Sequence, residues 1–227
     1  MTAVGTNTWS FTVPADATGV TVTPGFVLIG STTVPFTDVA ANAWYYTGVE
    51  YCYNTVRGSS RLMQGMNDAN TIFSPNSGFT RAQVVQILWN MKGRPSPRNT
   101  YNRFSDISSI HYAYNAMLWA VQNGYAEGYP DGTFRPNQYV TRQEMAVFLW
   151  RAAGKPTGYN TLNLNNYSDG SQVYDWAQSA MKWAVATGVL SGQSSVSVGR
   201  YLAPRTVAYR SEVAVTVMNF DKLAVFR

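Results

Sequence analysis

Apolar residues fall at Ala113, Ala116, Met117, Ala120 and Val121, the i, i+3, i+4, i+7, i+8 stripe of an amphipathic helix. A second stripe follows at Met145, Phe148, Leu149 and Ala152, and its counterpart earlier in the chain is Val84, Ile87, Leu88 and Met91. Both second stripes are bounded by start and stop signals. Thr80 with Gln83, and Thr141 with Glu144, form the Thr-x-x-Gln/Glu capping box, in which the threonine oxygen and the third side chain satisfy two orphan amides. Gly93 then Pro95, and Gly154 then Pro156, close the helices, glycine taking the left-handed position and proline forbidding continuation. Near the N-terminus the pattern changes to period two. Trp9, Phe11 and Val13, then Val20 and Val22, alternate around Pro14 to Asp16 and predict two strands and a turn.

These stripes belong to one unit present three times. Phe36-Thr-Asp38, Phe104-Ser-Asp106 and Tyr167-Ser-Asp169 open the copies. Each continues with an aromatic (Trp44, Tyr112, Trp176), a second aromatic seven residues on (Tyr51, Trp119, Trp183), and a glycine-marked turn at Gly65, Gly128 or Gly192. Phe73-Ser-Pro75, Phe134-Arg-Pro136 and Leu202-Ala-Pro204 follow, and then Arg81, Arg142 or Arg210 at the head of the second helix. Two helices of about a dozen residues cannot enclose a core alone, so the units must pack on one another. The expected division is a β segment at 1–33 and repeats at 34–98, 99–158 and 159–227. Thirty residues of strand-like sequence are too few to stand alone. The 1–33 segment is therefore expected to be the tail of an upstream β domain or a strand pair docked on the helices.

Composition narrows the chemistry. The chain has 227 residues, enough to bury a real core, with 45% hydrophobic residues and 13% charged residues. A single cysteine, Cys52, permits no intramolecular disulfide, and a single histidine, His111, leaves no Cys/His set for zinc. No cofactor or metal site is expected. No apolar run approaches the roughly 18 residues of a membrane span. The N-terminus lacks a signal-peptide pattern and runs straight into strand-like sequence, so a longer exported protein is the expected parent. The net charge is +5, yet the arginines are dispersed at repeated positions with no basic run, which argues against nucleic acid as a partner. No carboxylate pair stands apart from the repeat scaffold, so no catalytic residue is assigned, although counting 12 Asp and Glu does not exclude glycoside hydrolysis.

The order Phe-x-Asp-Val, Gly-Tyr-x-x-Gly-Tyr-Pro-Asp-Gly-Thr-Phe-x-Pro and Thr-Arg-x-Glu resembles the S-layer homology repeat. Copy two matches from Phe104 through Gly124 and Phe134 to Glu144, and the resemblance covers roughly residues 35 to 221. It implies a mainly α fold, with three tandem helical repeats packed as a pseudo-threefold, three-pronged module. It also implies an extracellular, cell-wall location. The implied partner is a secondary cell-wall polysaccharide held in the grooves between prongs, commonly one bearing a pyruvate-ketal N-acetylmannosamine. The family's binding arginine maps onto Arg81, Arg142 and Arg210.

A physical argument stands beside the resemblance. An arginine in the first helical turn combines a bidentate donor with free amides and the positive helix end, which suits the carboxylate of a pyruvyl ketal. Trp44, Tyr112 and Trp176 are candidates for the wall against a sugar's apolar face, and equally for core positions. Asp38, Asp106 and Asp169 could accept sugar hydroxyls, or could be turn or N-cap residues. Tyr209 replaces the capping threonine of copy three, and Gln83 the acid of copy one. The grooves are therefore expected to be unequal, with Arg142 the best placed and Arg210 the weakest. A second reading, from a different class, makes the module a structural or assembly element contacting S-layer or other surface proteins.

Overall fold

The computed structural model describes residues 34–195, 197 and 199–226, together with the backbone of 2–3 and 9–10. Among the described residues the chain is mainly helical. Its helices are α1 (Tyr46–Asn54), α2 (Arg81–Met91), α3 (Tyr114–Gln122), α4 (Arg142–Ala152), α5 (Gln178–Ala186) and α6 (Arg210–Lys222). Of the N-terminal β segment, β1 (Thr2–Ala3) pairs antiparallel with β2 (Trp9–Ser10). The remainder, with Phe11, Val13, Val20 and Val22, lies outside the described residues. Two further hairpins, β3 (Val56–Arg57) with β4 (Ser60–Arg61) and β5 (Gln193–Ser195) with β6 (Gly199–Tyr201), occupy loops after α1 and α5.

The helix boundaries follow from local chemistry. The capping boxes at Thr80/Gln83 and Thr141/Glu144 are both formed, so α2 and α4 begin at their arginines. Gly93 and Gly154, at φ of 71° and 82°, end them.

Helices do not pair within a repeat. α2 packs on α3, α4 on α5, and α1 on α6. Each prong therefore joins the second helix of one repeat to the first helix of the next, and the last prong closes the ring between the first helix and the last. The first helices carry small residues at the matching positions Gly48, Ala116 and Ala180, so the partner helix approaches closely. At Gly48 an added Cβ would lie 2.8 Å from the Val215 side chain on α6. The second aromatics belong to this packing, Trp119 and Trp183 being buried. Cys52 is fully buried, as expected of a small apolar residue, and burial pushes its thiol pKa far up.

At the centre the three repeats meet in a closed ring of backbone hydrogen bonds. The Phe79 N–H donates to the Ala208 carbonyl (2.9 Å), Ala208 N–H to Val140 (2.9 Å), and Val140 N–H to Phe79 (2.8 Å). Each residue donates to one neighbour and accepts from the other, which defines the pseudo-threefold axis. All three side chains are buried there.

Candidate functional site

The arginines at the heads of α2, α4 and α6 are buried, with only 4–6% of their surface exposed. Each reaches into the next repeat around the ring. Arg81 donates from Nε to the Phe134 carbonyl (2.8 Å) and from Nη2 to that of Glu127 (2.6 Å). Arg142 makes the same pair to Leu202 (2.9 Å) and Ser191 (2.8 Å), and Arg210 to Phe73 (2.7 Å) and Gln64 (2.8 Å). The guanidinium plane also lies near aromatic rings, Arg81 between Tyr129 and Phe134, Arg210 beside Phe73. Burial lowers the pKa of Arg81, and that of Arg210 to about 10.

Two expectations need correcting. The helix N-terminal amides are not free for an anion. Arg81 and Ala82 donate their N–H groups to Gln138 and Pro136, Arg142 and Gln143 to Thr206 and Pro204, and Arg210 and Ser211 to Ser77 and Pro75. These orphan donors are satisfied by the adjacent repeat. Nor does the missing threonine leave Arg210 unoriented. Tyr209 gives no side-chain cap, only its N–H to Glu212 Oε2 (3.1 Å), but the Phe73 and Gln64 carbonyls fix the guanidinium.

Among the described residues, three grooves lie between the prongs, and each is assembled from all three repeats. Groove 1, about 730 Å³, has Arg210 at its base, Gln83, Ile87 and Asn90 of α2 along one side, and Tyr112 facing them. Groove 2, about 220 Å³, has Arg81, then Glu144, Phe148 and Arg151 of α4, and Trp176. Groove 3, about 760 Å³, has Arg142, then Glu212, Thr216 and Asn219 of α6, and Trp44. The expected arginines and aromatics thus converge, but each arginine meets the aromatic of a repeat other than its own. Trp44, Tyr112 and Trp176 are 68%, 61% and 56% exposed, so they are groove walls and not core.

The aspartates have a different place. Asp38 accepts the N–H groups of Phe73 (2.8 Å) and Ser74 (2.7 Å), Asp106 those of Phe134 and Arg135, and Asp169 those of Leu202 and Ala203. Ser74, Arg135 and Ala203 all adopt positive φ (58°, 57°, 49°), a conformation that costs a side-chain-bearing residue about 1 kcal/mol or more. The carboxylates hold that turn, and none of the three lines a described groove.

The helix faces opposite the aromatics carry no site signal in the sequence, where Gln83 and Glu144 read as caps and Ile87 and Phe148 as core. They recur at the third, sixth or seventh, and tenth helical residues, a 3.6-residue stripe that the capping box masks at its first position. The glycine turn at the groove rim is required by close approach: a Cβ on Gly128 would lie 2.0 Å from the Phe104 ring.

The grooves differ in charge. In groove 1, Arg210 and Arg94 face one carboxylate, Asp68, and Gln83 stands at the acid position. In groove 2, Arg151 pairs with Glu127 (2.9 Å), while Glu144 is occupied by the N–H and hydroxyl of Thr141 (2.7 and 2.8 Å). In groove 3, Arg142 Nη1 is bound to Glu212 Oε1 (2.9 Å). Among the described residues, Nη1 of Arg81 and of Arg210 has no protein acceptor. No group of three metal-ligating side chains occurs among the described residues, and none of their helices is long and apolar enough to cross a membrane.

The sequence profile of the S-layer homology domain matches residues 103–146 and 166–197. The chain belongs to the S-layer homology family. Its relatives are much longer proteins. It is 30% identical to "Exoglucanase XynX" of Acetivibrio thermocellus over 93% of this chain and 18% of that protein. It is 32% identical to the "Surface-layer 125 kDa protein" of Lysinibacillus sphaericus over 70% of this chain and 13% of that one. The "Cellulosome-anchoring protein" of Acetivibrio thermocellus is 27% identical over 53% of this chain and 28% of its own length. The S-layer homology chain thus spans less than a third of each of these relatives, and the enzyme among them is matched over this region alone. Membership assigns the module to the cell surface.

Proposed function

We propose that the chain anchors an exported protein to an acidic, pyruvylated secondary cell-wall polysaccharide, which lies in the inter-repeat grooves between an arginine and an exposed aromatic. Surface anchoring is common to the family and to relatives named as surface-layer and cellulosome-anchoring proteins. The observation that carries the finer reading is the convergence of Arg210 with Tyr112, and of Arg81 with Trp176, in open grooves where Nη1 of each guanidinium has no acceptor among the described residues. A carboxylate on the sugar would take that donor in a charge-assisted hydrogen bond while the ring face packs on the aromatic. Several such sites on one polymer raise the apparent affinity through effective concentration.

The charge pattern ranks the grooves for an acidic sugar: groove 1 first, for its excess of cations, then groove 2. Arg142, already paired with Glu212, falls last, the reverse of the order suggested by the repeat motif alone. The test is cosedimentation of the chain with purified wall sacculi, before and after chemical removal of their secondary polymer. Retention only on untreated sacculi supports the proposal; equal retention on stripped sacculi contradicts it. Self-association in the absence of wall material would favour the assembly reading.

A further inference from the structure

Groove 3 contains its own counter-ion. Glu212 Oε1 accepts from Arg142 Nη1 (2.9 Å) and from Gln193 Nε2 (2.7 Å), while Oε2 accepts the Tyr209 N–H (3.1 Å). With Nε and Nη2 bound to Leu202 and Ser191, every nitrogen of the Arg142 guanidinium is engaged.

The two acidic helix caps differ. In repeat two, Thr141 donates both its N–H and its hydroxyl to Glu144 Oε2, and the carboxylate is held at its own helix start. In repeat three Tyr209 offers Glu212 its N–H alone, and the other oxygen of Glu212 is bound to the arginine of the neighbouring repeat. The remaining lining is uncharged: the polar side chains of Ser191, Gln193, Ser194, Thr216 and Asn219, with apolar Val189 and Val215 among them, and the exposed indole of Trp44. An aromatic face beside hydroxyl and amide groups is the chemistry that holds a neutral, hydroxylated ring. A carboxylate entering this groove would have to displace Glu212 or lie beside it, and either is unfavourable.

We infer that groove 3 takes a neutral, hydroxyl- or acetamido-bearing sugar and excludes the acidic one, so that the module reads two kinds of residue in its polymer. This rests on the reading that the grooves bind glycan, and it adds a specificity set by the Arg142–Glu212 pair.

The indoles of Trp44 and Trp176 give separate reporters, one in groove 3 and one in groove 2, and neither donates to a described protein group. Their 1H–15N signals are assigned with Trp44→Phe and Trp176→Phe. The full chain is then titrated with the methyl glycoside of pyruvate-ketal N-acetylmannosamine, and with the same glycoside lacking the ketal. The acidic sugar is expected to move Trp176 at concentrations roughly tenfold or more below any effect on Trp44, and the neutral sugar to move Trp44.

In Glu212→Gln the Trp44 signal is expected to begin responding to the acidic sugar. This variant keeps an acceptor for the Tyr209 N–H, as Gln83 does for Thr80 (2.9 Å) in repeat one. Equal response of both indoles to the acidic sugar in the unaltered chain would overturn the inference and leave groove binding intact. Silence of both indoles toward both sugars would overturn the groove reading itself, and the inference with it.

Discussion

Arg210 on the last helix donates from Nε to the carbonyl of Phe73 at 2.7 Å, stitching the third repeat to the first. With the Gln64 bond it makes two charge-assisted hydrogen bonds in a buried setting, each contributing about 1.5–3 kcal/mol. Arg210→Ala would also leave two carbonyls without a donor. It is expected to lower stability by about 3 kcal/mol or more, read as a shift in the urea midpoint at unchanged slope. The loss of an arginine in this family of positions is thus a folding change before it is a binding change. A variant that abolishes anchoring says nothing about the ligand unless its fold has been checked.

Gly48 sits where α1 crosses α6, with the Val215 side chain 2.8 Å from where a Cβ would be. Gly48→Ala must push the closing prong apart, and overpacking of this kind costs about 1–3 kcal/mol against the small gain in helix propensity. Gly158, at φ +96° with nothing near its Cβ direction, tests the other glycine role: substitution there strains the backbone and not the packing. Thermal unfolding followed by circular dichroism should show Gly48→Ala melting several degrees below the parent. An unchanged melting temperature would mean that this prong contributes little to the cooperative unit.

The same prong carries a polar lock. The Tyr51 hydroxyl donates to Asp221 Oδ2 at 2.6 Å, and Arg57 Nη2 donates to the same oxygen at 3.0 Å. Burial first, and then the hydrogen bond to Asp221 and its charge, push the Tyr51 pKa up to about 12. An unfolded tyrosine titrates near pH 10, so the folded state holds this proton more tightly. The contribution is complete below that pH and is lost as the pH rises toward about 12, where a phenolate would face the carboxylate. Denaturation at about pH 8 and about pH 11 should show a loss of stability that is smaller in Tyr51→Phe.

Much of this architecture is written in the local pattern. The stripes at Val84 to Met91 and Met145 to Ala152, the capping boxes and the terminal glycines place α2 and α4 where the structure has them. The cyclic exchange is not legible there. A stripe says that Ala116 and Ala120 face a partner, but the second helix of the same repeat and that of the preceding one offer an equivalent apolar face.

The site inherits that ambiguity. Arg142 and Trp44 recur with the repeat and could be picked out on that ground, yet nothing in their spacing shows that they share a groove. The aspartates illustrate a second limit. A carboxylate beside an aromatic reads alike for a sugar hydroxyl and for two backbone amides, and only the positive φ of Ser74, Arg135 and Ala203 shows what Asp38, Asp106 and Asp169 are for. The Glu212 side chain is harder still to foresee, because it caps its own helix through Oε2 and binds Arg142, a residue 70 positions away, through Oε1.

The most direct measurement is isothermal titration of the chain with soluble fragments of the pyruvylated wall polysaccharide, in the parent and in a Tyr112→Ala/Trp176→Ala variant. Both side chains are exposed, so this variant spares the buried clamps. Stacking on an aromatic contributes on the order of 1 kcal/mol per ring, so the double variant should bind at least tenfold more weakly at unchanged melting temperature. Depyruvylated fragments should lose most of their affinity for the parent. Parent and variant affinities that agree, with or without the ketal, would contradict the account.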